Sequence, residues 1–92
     1  MNQPRRQALS KLQERIETLI GEVEDIKSEL EGLRDEEQET LDNMPENLQQ
    51  SERAQIAEQA VSDMDSGIDA LDSASNSLTE ATEPIDSAQN GG

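Results

Sequence analysis

Five residue types are missing from this chain: histidine, cysteine, phenylalanine, tyrosine and tryptophan. Without histidine or cysteine there is no imidazole proton shuttle, no thiolate nucleophile and no imidazole or thiolate metal ligand, and serine or threonine hydroxyls have no imidazole base to activate them. Without aromatics no ring stacks on a nucleobase and no large flat side chain anchors a core. A disulfide framework is excluded too. Basic residues are scarce, 7 against 22 acidic ones, so the net charge is −15. Such a chain is repelled by phosphate backbones and anionic membranes and is drawn to basic proteins. No apolar run approaches the ~20 residues of a membrane span. The polar opening Met1-Asn2-Gln3-Pro4-Arg5-Arg6 lacks the apolar core of a secretion signal, which points to a cytoplasmic protein.

What is present is periodicity. Leu9, Leu12, Ile16, Leu19, Val23, Ile26, Leu30 and Leu33 follow one another at alternating intervals of three and four, an a/d heptad seam. With 30% apolar residues in 92, the chain buries little surface by itself, and self-association through this seam is the expected remedy. In heptad terms Leu9, Ile16, Val23 and Leu30 are a, Leu12, Leu19, Ile26 and Leu33 are d, and Ile20 and Leu41 widen the stripe at e. Glu22 and Glu29 at g would face Lys27 and Arg34 at e of a second copy in a parallel pair, although intrahelical pairs such as Lys27 with Glu31 account for these charges equally well. Glu37 and Thr40 interrupt the seam, so fraying or a change of register is expected there.

The spacing predicts helix one over about 5–42, with Pro4 in the first turn, where its missing N–H is no loss. A turn is predicted over 43–51: Pro45 pushes Met44 out of the helical region, Asn43 and Glu46 have the spacing of a capping box, and Ser51 before Glu52 is a second N-cap candidate. Helix two is predicted over about 52–82. Ala57, Val61, Met64, Ile68, Leu71, Ser75, Leu78, Thr82 and Ile85 continue the seam, and Ala60, Gly67, Ala74 and Ala81 form a strip of small residues that invites close approach. Pro84 should stop the helix and leave 84–92 as a disordered tail. The expected fold is all-α: an antiparallel helical hairpin with coiled-coil-like packing, a single domain over 1–83, assembling into a helical-bundle homo-oligomer.

Chemical motifs are few. Asp63-Met64-Asp65-Ser66-Gly67-Ile68-Asp69 has the alternating carboxylates of a calcium loop, but Ala74 stands where the twelfth-position glutamate belongs, and the heptad pattern splays the carboxylates around a helix. There is no glycine-rich phosphate loop, and no apolar aromatic pocket to raise a carboxyl pKa for acid/base work. The chain therefore reads as non-enzymatic, without metal or cofactor. Asp65, Asp69 and Asp72, with Glu58 and Asp86 at more distant stations, form an acidic row one turn apart, close to the spacing of successive phosphates, and helix two has no lysine or arginine after Arg53 to neutralise it. This row is the candidate surface for a protein partner, against the plainer reading of a solvated face. Arg5, Arg6, Lys11 and Arg15 make the one basic cluster, a candidate anion site in an oligomer, against the plainer reading of residues that offset neighbouring acidity.

The stretches Asp35-Glu36-Glu37-Gln38-Glu39, Asp42-Asn43-Met44-Pro45-Glu46-Asn47-Leu48-Gln49 and Ser51-Glu52-Arg53, with the opening Arg5-Arg6-Gln7-Ala8-Leu9, resemble a group of small acidic hairpin proteins of bacteriophages, prophages and mobile elements. The Asn-Met-Pro-Glu turn followed by Ser-Glu-Arg is the most specific part, and the likeness covers most of residues 5 to 80. It implies a phage-encoded accessory protein in the cytoplasm of a bacterial host, where such proteins occupy host defence proteins or act as oligomeric sponges for cyclic-nucleotide signals. The leading expectation is an inhibitor that binds a host protein through its acidic helical surface, without direct contact to nucleic acid or membrane. A sponge holding a cyclic nucleotide through Arg5, Arg6 and Lys11 of neighbouring copies, and a structural hairpin, are the alternatives.

Overall fold

Two devices start the helices. In the computed structural model, which describes residues 2–91, the Asn2 side chain accepts a hydrogen bond from the backbone N–H of Arg5 at 2.9 Å and opens α1, Gln3–Asp42, with Pro4 in its first turn. Ser51 does the same for α2, Glu52–Asn90, where its Oγ accepts from the N–H of Ala54 at 3.2 Å. Each cap pairs one of the N–H groups that a helix start leaves without a partner. Met1 and Gly92 lie outside the described residues.

Between the helices the chain makes one short 3-10 turn, Glu46–Leu48, after Pro45. Asn43 does not start that turn. It ends α1 instead, in helical backbone geometry with its N–H bonded to the carbonyl of Glu39, so the expected Asn43–Glu46 capping box does not form. Nor does α1 fray after Leu33. Leu41 and Met44 are half-buried and carry the packing across the acidic run.

The helices lie antiparallel and form a rod of 70 × 14 × 13 Å. Cross-helix partners run in opposite directions along the chain: Gln13 with Gln89, Glu24 with Ser75, Lys27 with Asp72, Arg34 with Asp65. The contact is thin. Among the described residues Ala54, Ala57, Val61 and Ser75 of α2 are the buried ones, and no large side chain is fully enclosed. Small residues at the contact let the backbones come close: a Cβ added to Gly67 would sit 3.1 Å from Cδ2 of Leu30.

The C-terminal expectation is overturned as well. Residues 84–90 are not a disordered tail, because α2 continues through Pro84 to Asn90. An internal proline removes one backbone bond and crowds a carbonyl, at a cost of about 3 kcal/mol. Here the final turns are held from the side. Ile85, Ala88 and Gln89 are half-buried, and the Gln89 amide donates to Oε1 of Gln13. The proline penalty is local, whereas that packing spans the last two turns.

Candidate functional surfaces

The hairpin treats the acidic row unevenly. Arg34 donates through Nη1 to Asp65, and Lys27 donates to Asp72 at 2.9 Å, both from the e positions of α1. The cations that α2 lacks are thus supplied by α1. The hydrogen bond to Asp72 raises the Lys27 pKa above its ordinary value, against a smaller opposing effect of desolvation. Bonds to Asp65 and then Asp35 likewise raise that of Arg34. These charges are therefore occupied inside the hairpin. Among the described residues Asp69 and Glu58 make no ion pair. A ladder of three uncompensated carboxylates does not exist.

Charge is segregated along the rod instead. The half nearest the turn, residues 21–74, holds seventeen acidic and three basic side chains, while the open half, residues 2–20 and 75–91, holds five acidic and four basic. Of the three cations near the turn, Lys27 and Arg34 are already paired across the hairpin. At this end a groove of about 560 Å³ opens, with Leu41 and Val61 among its aliphatic lining and Asp42 and Glu58 among its carboxylates. Gln38 donates to Asp42 at 3.0 Å and holds that carboxylate in place. An alkyl stem tipped with a cation is the chemistry that suits such a lining.

The basic residues are not gathered into one site. Their positions put Arg5 at d, Arg6 at e, Lys11 at c and Arg15 at g, spread around the α1 circumference. Arg6 alone of the four lines a polar groove of about 370 Å³ at the open end, together with Gln3, Gln7, Ser10, Gln89 and Asn90. Its Nε is buried without a hydrogen-bond partner.

The seam is divided in two. Its a row, Leu9, Ile16, Val23 and Leu30, is half-buried, joined by the e residues Ile20 and Leu41. Its d row is left open: Leu12 is 45% exposed, Leu19 48%, Ile26 44% and Leu33 56%. Leu48 and Ile56 are also exposed, but stand apart near the turn.

Asp42 was hidden from sequence reasoning because it reads as a helix-end residue, and its relation to Glu58 appears only when the chain folds back. Among the described residues no three carboxylates come together as a metal site, and the calcium-like run 63–69 is continuous helix. No helix among the described residues is long and apolar enough to cross a membrane. The class that fold and surface define is an acidic two-helix hairpin with an uncovered aliphatic row. No family model, curated protein or solved structure matches the chain.

Proposed function

We propose that the chain is a non-enzymatic accessory protein of a phage or prophage that binds and inhibits a host defence protein through the acidic turn half of its rod. The observation that carries this reading is the segregation of charge: seventeen carboxylates near the turn face three cations, two of them spent inside the hairpin. A surface of this kind attracts a basic partner over a distance of about 10 Å at 0.1 M salt. The groove at Asp42 and Glu58 receives an arginine or lysine of that partner, with the alkyl stem on Leu41 and Val61. The phage assignment rests on the likeness of the Asn43-Met44-Pro45-Glu46 turn and Ser51-Glu52-Arg53 to small phage hairpins.

The test is affinity purification of the tagged protein from infected host cells, with the Asp42→Asn/Glu58→Gln variant beside the wild type. The expected outcome is one basic host protein that is lost from the variant and eluted from the wild type by moderate salt, with helix content unchanged. A variant that retains both its partner and its activity in an infection assay would reject the reading.

A second reading, a sponge for a phosphate-bearing cyclic nucleotide, is supported by the unpartnered Arg6 Nε beside the open-end groove. Arg5→Ala/Arg6→Ala then abolishes activity while the acidic-groove variant keeps it.

A further inference from the structure

The open row on α1 has a shape as well as a chemistry. Leu12, Arg15, Ile16 and Leu19, at positions i, i+3, i+4 and i+7, surround a groove of about 410 Å³ rimmed by Ile85 of α2. Four residues at that spacing form the hole that receives one aliphatic knob from a facing helix in coiled-coil packing. The row that would supply the knobs is the same row: Leu12, Leu19, Ile26 and Leu33 stand at seven-residue intervals, each roughly half exposed. Polar residues close it at both ends, since the next d positions are Arg5 and Thr40. The stripe is therefore bounded, about 30 Å long at ~1.5 Å per residue, and self-complementary.

We propose that this stripe pairs two copies of the chain through their α1 helices, antiparallel, about a two-fold axis between Leu19 and Ile26. Charge selects the orientation. A parallel pair lays the two turn halves side by side, each with seventeen acidic and three basic residues, and like charges repel. An antiparallel pair sets the turn half of one copy against the open half of the other, which carries Arg5, Arg6, Lys11 and Arg15. In that register Leu12 faces Leu33 of the second copy, and Leu19 faces Ile26. Arg15, at g beside the stripe, falls next to Glu29 of the second copy, Arg5 meets the acidic stretch around Thr40, and the one like-charge contact of the g positions is Glu22 with Glu22 beside the axis. Lys27 and Arg34 take no part, because α2 already holds them. The dimer is independent of what the acidic groove binds.

Light scattering at micromolar concentration should give about twice the 10.1 kDa of the chain. Leu19→Gln/Ile26→Gln should halve that mass and keep the helix content, because both side chains are open in the single hairpin. Orientation is read by energy transfer between dyes on Gln7→Cys and Gln38→Cys, both exposed positions in a chain without native cysteine. Mixed Gln7/Gln38 dimers should transfer strongly, and Gln7/Gln7 dimers weakly, since their dyes lie roughly 45 Å apart along the axis at 1.5 Å per residue. A monomeric wild type would overturn the proposal, as would an undiminished mass for the double variant. Helix loss in that variant would place the row inside the hairpin and overturn it too, and strong Gln7/Gln7 transfer would reject the antiparallel arrangement.

Discussion

Two rows of aliphatic residues on α1, about 60° apart around the same helix, meet opposite fates. The a row, with Leu9, Ile16, Val23 and Leu30, turns into the hairpin, and the d row, with Leu12, Leu19, Ile26 and Leu33, stays open to solvent. Their compositions are nearly the same. The difference lies in what α2 offers: a face of small residues, in which Gly67 leaves room for Leu30, flanked by Asp65 and Asp72. Those aspartates draw α2 toward the e side of α1, where Lys27 and Arg34 stand, and away from the d side. A seam that looks uniform in sequence is split because α2 covers the a and e side of α1, where its aspartates meet Lys27 and Arg34, and leaves the d side open.

The largest effect expected from breaking this contrast comes from truncating one residue of each row. Leu30→Ala removes packing against Gly67 and should destabilise the hairpin by roughly 2 kcal/mol or more, whereas Ile26→Ala should cost under about 1 kcal/mol at dilutions where the chain is monomeric. Urea denaturation followed by circular dichroism measures both, and equal losses would show that the rows are packed alike.

Glycines sharpen the same contrast with a smaller effect. A Cβ at Gly21 or Gly32 meets nothing within 4 Å, while at Gly67 it meets Leu30 at 3.1 Å. Gly21→Ala and Gly32→Ala should therefore each stabilise by about 0.5–1 kcal/mol through helix propensity. Gly67→Leu should destabilise by about 1–3 kcal/mol through overpacking. Melting temperatures that rise for all three variants would show that α2 does not approach closely at Gly67.

The smallest effect concerns the charges that join α2 to the e side of α1. Because the folded hairpin holds the Lys27 pKa above its ordinary value, the lysine's contribution is fully present below the ordinary pKa and fades as pH rises through the raised one. No tyrosine or cysteine titrates in that alkaline range. The alkaline fall in stability should be shallower in Lys27→Met than in wild type, by a small amount, since the pair is partly exposed to solvent. Parallel pH profiles for the two proteins would show that the Lys27–Asp72 pair does not hold the register.

Of the candidate surface, the acidic residues were legible and their compensation was not. Asp65 and Asp72 read as an unneutralised row because α2 itself has no cation beyond Arg53, yet their partners lie 31 and 45 residues away on α1. The groove at Asp42 and Glu58 was hidden for the same reason, since its walls come from both helices and the turn between them.

What the sequence by itself determined is local: two long helices, from uninterrupted three-four periodicity, and a break at Pro45, from the missing N–H and the constraint on Met44. The Ser51 cap and the small-residue strip belong to the same category, because each depends on neighbours within a turn or two. Tertiary structure alone decided which α1 row is covered, since a single partner helix shields only one sector of a helix surface and the choice depends on residues far along the chain. It also decided that α2 runs past Pro84 to Asn90. A local rule ends the helix there, but the packing of Ile85, Ala88 and Gln89 against a helix more than sixty residues away in sequence outweighs the lost backbone bond.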